Sequence, residues 1–456
     1  MMMLSEIANA LNAHVTGQDV SVLSIGTDSR NIKDNQLFVA IKGDRFDGNR
    51  FAAEAVQLGA AAALISDANT KVSPSVLVKD TRLALGALAH CWRKKFSLPL
   101  VAVTGSNGKT TVKEMIASIL STAKGHVLAT QGNLNNDIGM PLSLLNIRAE
   151  HTNAVIEMGM SHLGEIRYLT NIACPQVAVV NNAGTAHIGE LGSRKAIAEA
   201  KGEVFEGLAK DGIAVINADD DFAEYWLSLN EDKKVITFGL GGGADVTAQY
   251  STEGGRSNIS LKTPDGTVQV SLSVLGKHNV SNALAASAVA VALGVSNADI
   301  AQGLSRFNGV QGRLNLLVGL QNAVVIDDTY NANPDSMRAA IEVLASQKYD
   351  SKDTLIFVMG DMGELGLEAD DLHAEVGAYA KQNNITRLFS FGQASKSASL
   401  AFGENGRHFA GLESLVAALE DCMHAGVCVL VKGSRFMKME RIVNAIVKER
   451  KLGGGH

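Results

Sequence analysis

Leu100-Val101-Ala102-Val103 leads, through Thr104, into Gly105-Ser106-Asn107-Gly108-Lys109-Thr110-Thr111. The first four residues are apolar and read as a short strand buried on both faces, and the stretch Thr110 to Leu120 has helical spacing. A glycine loop between strand and helix, with Lys-Thr at the helix start, is the context in which a phosphate-binding loop is expected. Its glycines let the backbone curl so that N–H groups face phosphates, and the helix N-terminus adds positive potential. Lys109 is placed to hold β- and γ-phosphates and Thr110 to reach Mg²⁺. The usual motif has a glycine five residues before Gly108; Val103 stands there, so this is a shorter loop. The reading implies an enzyme that uses ATP.

Downstream, the apolar strands Ala154-Val155-Ile156, Val177 to Val180 and Ile213 to Ile216 alternate with helical stretches. Such alternation predicts a parallel sheet covered on both faces. Residues from about 240 to 275 break it: they are rich in Gly, Ser and Thr, with a period of two in Val268, Val270, Leu272 and Val274. A small antiparallel sheet is expected there, followed by a helix from Asn279 to Leu293. Upstream, short strands (Leu37 to Ile41, Ala61 to Ile65) precede an amphipathic helix, Arg82 to Lys95, and Pro99 marks a boundary. Beyond Gly312, strands at Val324 to Ile326, Thr354 to Val358, Leu388 to Phe391 and Val427 to Val431 predict a second doubly wound sheet. The expected fold is α/β in three domains, 1–98, 99–312 and 313–456: a small N-terminal domain, a central parallel sheet with a small antiparallel sheet, and a C-terminal Rossmann-like domain.

A chain of 456 residues, 46% hydrophobic and 19% charged, reads as an ordinary globular protein. A net charge of −6 excludes electrostatic steering to nucleic acid or an anionic membrane. No apolar run reaches the ~20 residues of a membrane helix and no basic leader precedes one, so a cytoplasmic protein without membrane insertion is expected. Cys91, Cys174, Cys422 and Cys428 form no close pair and read as buried thiols in a reducing compartment. Leu452 to His456 reads as a frayed tail.

Several polar clusters follow strands. In Thr130 to Gly139, turn chemistry accounts for glycine and asparagine; equally, Asn133, Asn135 and Asn136 could set amides on a phosphoryl group. Glu157 ends an apolar strand, a place for a magnesium ligand or for a helix cap. His187, after Asn181-Asn182-Ala183-Gly184-Thr185-Ala186, shares that sheet edge and is open to a structural or a ligand role. Lys201, in Lys201-Gly202-Glu203, reads by pattern as a helix-surface lysine. His278, Asn279 and Asn282 read as polar caps at a helix start. In Asp327 to Ser336, two acids, a polar turn and a Pro-started helix are too polar for packing and read as a ligand site.

With these motifs in order, nearly the whole chain resembles the Mur ligases, ATP-dependent amide-forming enzymes of peptidoglycan precursor synthesis. Gly132 to Asn136, Ala200 to Glu203, Asp327 to Ser336 and Gly360-Asp361-Met362-Gly363-Glu364-Leu365-Gly366 are most similar to the branch that joins D-alanyl-D-alanine to UDP-N-acetylmuramoyl-tripeptide. The resemblance implies ATP, Mg²⁺ (two ions) and a carbamylated Lys201. Thr110, Glu157, His187 and the carbamate would be metal ligands, and Lys109 and Arg313 would meet the phosphates, Arg313 after domain closure. Asn136, His278, Asn279, Asn282 and Asp328 would meet the nucleotide. Thr27-Asp28-Ser29-Arg30 and Phe46-Asp47-Gly48 resemble the uridine region, with Ser29, Arg30 and Asp47 as contacts; Asn133 and Asn135 would meet substrate, and Asn331, Asn333 and Asp335 the dipeptide. The implied route is an acyl phosphate made from ATP, then attack by the dipeptide amine, in a monomer. Alternatives are a diamino-acid-adding ligase, a folylpolyglutamate synthetase and an ATP-driven switch. Asn331-Ala332-Asn333-Pro334-Asp335, where the diamino-acid enzyme carries Asp-Asn-Pro-Arg, argues against the first, and Asp28-Ser29-Arg30 against the second.

Overall fold

The computed structural model describes residues 1–43, 46–253, 256–347 and 354–448. Leu100–Thr104 is buried along its whole length and pairs in parallel with Asn153–Glu157 on one side and Val177–Val180 on the other. The central sheet runs Val127–Ala129, Asn153–Glu157, Leu100–Thr104, Val177–Val180, Ile213–Asn217, Lys234–Phe238, all parallel. Chain order reverses at Leu100–Thr104. The crevice beyond the carboxyl ends of strands at such a reversal is where ligands bind.

Strand side chains alternate in direction, so Leu100 and Ala102 enter one core while Val101 and Val103 enter the other. The first core continues into the N-terminal domain through the helix Thr81–Arg93, whose Leu85, Leu88 and Trp92 join Leu144, Ile166 and Leu169. Trp92 Nε1 donates to the Ile147 carbonyl at 3.1 Å and Arg93 Nε to that of Ala173 at 3.2 Å. Asp80 starts this helix by accepting from the backbone N–H of Arg82 and Leu83. The N-terminal sheet runs Val15–Thr16, Ser75–Leu77, Ala62–Ile65, Gln36–Val39, Ser24–Gly26, with the first pair antiparallel and the others parallel.

The second core lies under the helices Lys109–Lys124, Lys277–Ala292 and Asn297–Arg306. Val270 and Leu272 of the predicted antiparallel sheet, strands Thr247–Glu253, Arg256–Thr263 and Gly266–Leu272, close its far side. A Cβ at Gly303 would lie 2.4 Å from Ile119 Cα, so the absence of a side chain there sets how closely helix Asn297–Arg306 approaches helix Lys109–Lys124.

The C-terminal sheet runs Asn315–Val318, Val324–Asp328, Val427–Lys432, Thr354–Gly360, Arg387–Phe391, Gly406–Phe409. The expected doubly wound sheet carries one antiparallel edge, because Asn315–Val318 pairs antiparallel with Val324–Asp328 and makes the sheet mixed. Its alternate residues Leu316 and Val318 are exposed, as on an edge strand, so no apolar run marked it. The segment leading into this domain has positive φ at Gly309, Gly312 and Leu314, around Arg313. Only Cys428 is buried; Cys91, Cys174 and Cys422 are half-buried near helix ends, against the expectation of four buried thiols. The tail Leu452 to His456 lies outside the described residues.

Because Gly303 faces backbone rather than a flexible side chain, Gly303→Ala is expected to cost about 1–3 kcal/mol by overpacking. Thermal unfolding followed by calorimetry should show the main transition several degrees lower, with the KM for ATP raised because the shifted helix carries the phosphate loop.

Candidate active site

The strand continues through Val103 and Thr104, which is why the loop begins only at Gly105 and lacks the earlier glycine. Gly108 has φ 78°, and a Cβ there would come within 2.3 Å of Asn282 Oδ1 and 2.6 Å of Asn181 Nδ2. Both the conformation and the close approach require glycine. Helix Lys109–Lys124 starts without a side-chain cap, so its first N–H groups are left for an anion. The loop is held from behind. Ser106 N donates to the Asn182 carbonyl at 3.0 Å and Asn107 N to Asn182 Oδ1 at 2.8 Å, while Asn181 Nδ2 donates to the Asn107 carbonyl at 2.9 Å. Asn181 also donates to Asn282 Oδ1 at 2.9 Å, and Asn217 Nδ2 to the Asn181 carbonyl at 2.9 Å. Asn181 and Asn182 were quoted only as neighbours of His187; their position after a strand beside the loop was the available signal.

Lys109 Nζ donates to the Gly105 carbonyl at 2.7 Å. Burial lowers its pKa, and the nearby Glu157 charge offsets part of the effect. Glu157 is 2% exposed. Its Oε2 accepts from Thr110 Oγ1 at 2.9 Å and its Oε1 from Asn135 Nδ2 at 2.8 Å, so it is a strand-end carboxylate and not a helix cap. Arg313 Nη2 donates to the same Thr110 hydroxyl at 3.0 Å, and its guanidinium lies 4.3 Å from the Tyr330 ring centroid. Arg313 Nε is buried without a hydrogen-bond partner among the described residues. An orphaned buried donor is costly unless a ligand takes it.

Lys201 is 2% exposed and not the surface lysine its pattern suggested. It stands four residues after Ile197, on the face of helix Arg194–Gly202 that also buries Ala198, and that spacing was the readable signal. Among the described residues its ammonium has no hydrogen bond or ion pair, and desolvation, then the charge of Lys109, drives its pKa far down. Glu203 secures this corner: its carboxylate accepts from Gly164 N at 2.8 Å and Arg167 N at 3.1 Å, starting helix Glu165–Ala173.

A cleft of about 2110 Å³ joins these groups to the C-terminal domain. Asn333 Nδ2 donates to Asn107 Oδ1 at 2.8 Å, and Asp335 Oδ2 accepts from Thr185 N at 2.7 Å and Thr185 Oγ1 at 2.8 Å. His187 Nδ1 lies 2.8 Å from Glu364 Oε2 and 3.2 Å from Glu190 Oε2. Asp328 pairs with Lys432 at 2.6 Å, and the Asn331 carbonyl accepts from Lys432 Nζ at 2.8 Å. His278, Asn279 and Asn282 line the cleft beside the loop. Asn133 and Asn136 line it too, Asn136 Oδ1 capping Gly139 N at 2.8 Å. Ser29, Arg30 and Asp47 are not brought to this cleft. Arg30 is paired with Asp28 at 2.8 Å, and Asp47 accepts from Asn49 N at 3.0 Å.

Comparison with known proteins agrees with this geometry. Three family models match along the chain: "Mur ligase family, catalytic domain" over residues 21–93, "Mur ligase middle domain" over 103–290 and "Mur ligase, glutamate ligase domain" over 312–435. The UDP-N-acetylmuramoyl-tripeptide–D-alanyl-D-alanine ligase of Escherichia coli (strain K12) is 42% identical over 97% of this chain and 98% of its own. A crystal structure of MurF from Acinetobacter baumannii superposes with a TM-score of 0.89 at 37% identity, covering 96% of this chain and 97% of the other. MurF ligase from Thermotoga maritima, solved in complex with ADP, gives 0.82 at 30% identity, covering 92% and 96%.

His278 has its pKa lowered to about 4, chiefly by burial and then by the charge of Lys432. A folded-state value below the unfolded one means that stability present above about pH 6.5 is lost as pH falls toward 4. Urea unfolding of His278→Gln against the parent should show less loss of stability across that window.

Proposed function

The chain belongs to the Mur ligase family, and we infer that it is the ligase that joins D-alanyl-D-alanine to UDP-N-acetylmuramoyl-tripeptide at the cost of ATP. The observation that carries the chemistry is the uncapped helix at Lys109 facing a buried carboxylate and a half-buried arginine. Anionic phosphates fit that N-terminus. The three domains, taken as 1–98, 99–312 and 313–456, divide the work: UDP moiety, ATP and amine. Ser29, Arg30 and Asp47, away from the cleft, suit a substrate whose nucleotide end is far from its reacting carboxylate.

In the first step a terminal carboxylate oxygen of the tripeptide attacks the γ-phosphorus of ATP, the bond to the bridging oxygen breaks, and ADP leaves. Lys109 and the loop N–H groups hold the phosphates; Arg313, with Nε unpartnered, adds charge where it accumulates. The dipeptide nitrogen then attacks the acyl carbon, and the tetrahedral intermediate expels phosphate to leave the amide. Asn333, Asp335 and Glu364 reach across from the C-terminal domain and shield the acyl phosphate from water.

Hard oxygen donors suit Mg²⁺, and Thr110, Glu157 and a carbamylated Lys201, with His187, would hold it. Mg²⁺ bound there supplies charge neutralisation for the phosphates. Lys201 fits carbamylation on its own chemistry, because burial without a partner anion among the described residues disfavours the ammonium. Its nitrogen would bond to CO₂ and release one proton, leaving an anionic carbamate.

Phosphate release from ATP with UDP-N-acetylmuramoyl-tripeptide should require D-alanyl-D-alanine and remain at background with a diamino acid or no amine. Equal release in all three arms would sink the assignment. Lys109→Ala should lower kcat by about 10²–10³-fold. With ¹³C-bicarbonate, a carbamate carbon resonance should be present in the parent and missing in Lys201→Arg; its absence from the parent would rule the carbamate out.

A further inference from the structure

An incoming D-alanyl-D-alanine is a zwitterion, so its site must supply an anion for the ammonium and a cation for the carboxylate. Most carboxylates lining the cleft are already engaged. Asp335 is held by Thr185, Asp328 by Lys432, Asp220 by the N–H groups of Ala183 and Phe222, and Glu157 by Thr110 and Asn135. Glu364 is the more open. Among the described residues its Oε2 meets His187 and its Oε1, like Asp335 Oδ1, accepts no hydrogen bond. Its side chain is 52% exposed, so it is accessible from the cleft it lines.

The backbone supports a dedicated placement. Glu364 has φ 63° and His187 φ 66°, left-handed conformations that are uncommon for residues with side chains. They meet where Gly189 N donates to the Glu364 carbonyl at 3.3 Å, and a Cβ on Gly189 would lie 2.7 Å from that oxygen. The charge of Lys109 is felt at Glu364, which puts the carboxylate at the phosphate end of the cleft.

The neighbouring loop completes the match. Gly363 N donates to Ser434 Oγ at 2.8 Å, tying residues 361–366 to the turn Arg435–Met437. The Phe436 ring is 63% exposed and lies against Gly363, within 3.1 Å of where a Cβ would be. Beside it Arg435 carries an exposed guanidinium that, among the described residues, pairs with one acid, Glu440, at 3.2 Å. Glu364, Phe436 and Arg435 thus line the same cleft from two tied loops at the ends of adjacent parallel strands, Thr354–Gly360 and Val427–Lys432.

We propose that Glu364 binds the ammonium of the incoming D-alanyl-D-alanine and Arg435 its carboxylate, with Phe436 against the methyl groups between them. This rests on the ligase reading above and adds the residues that select the amine substrate.

Steady-state kinetics of the full chain tests it, with D-lactyl-D-alanine, which has a hydroxyl in place of the ammonium, as competing ligand. Glu364→Gln should raise the KM for D-alanyl-D-alanine about tenfold or more while the inhibition constant of the hydroxy analogue changes less than about threefold. The KM values for ATP and UDP-N-acetylmuramoyl-tripeptide should change by much less than that for the dipeptide. Arg435→Gln should weaken dipeptide and analogue alike, since both carry the carboxylate. If Glu364→Gln raises all three KM values together, or weakens dipeptide and analogue equally, Glu364 is only a domain contact and the proposal falls. A parent enzyme that does not use D-alanyl-D-alanine at all would instead overturn the ligase reading.

Discussion

Glu157 carries a negative charge at the end of a strand whose other residues are buried, and its nearest partners are neutral: the Thr110 hydroxyl, the Asn135 amide and, for its own N–H, Thr130 Oγ1. Neutral hydrogen bonds orient a carboxylate but do not cancel its charge, and an uncompensated buried ion is expensive. The site can be read as the answer to that demand. Lys109 approaches from the loop and Arg313 from the segment that starts the C-terminal domain. Thr110 is the shared point, donating to Glu157 and accepting from Arg313. Nucleotide phosphates enter a frame of alternating charge that the protein has only partly balanced by itself.

Around this frame the fold uses amides. Asn107, Asn181, Asn182, Asn217, Asn282 and Asn333 link the loop, two strand ends, a helix start and the C-terminal domain. An amide donates and accepts at once, so such a network fixes positions without adding net charge. Carboxylates in those places would repel the nucleotide, and further cations would compete with metal.

Much of this was legible in the chain. Fully apolar strands of four or five residues announce a parallel sheet, and Leu100 to Val103 with Gly105 to Thr111 fixed the centre of the fold. Strands of two or three residues, such as Val15–Thr16 and Ser24–Gly26, carry too few side chains to show a period. The pattern around Lys201 misleads because a charged residue on an apolar helix face counts as a breach of it, although the spacing from Ile197 is present. Glu364 served only as part of a resemblance: neither its positive φ nor its meeting with His187 can be read from Gly363-Glu364-Leu365, since both depend on a domain more than 170 residues upstream.

Gly309, Gly312 and Leu314, with their positive φ, surround Arg313 at the start of the C-terminal domain. In any swing of that domain about this segment, displacement grows with distance from the axis. Asn333, Asp335 and Glu364, farther along the domain, would then travel farther than Arg313. In this structure Arg313 already donates to Thr110, and a cation so near a pivot would move least. Timing would fall to the outer residues and electrostatics to the pivot, two duties separated by nothing more than leverage.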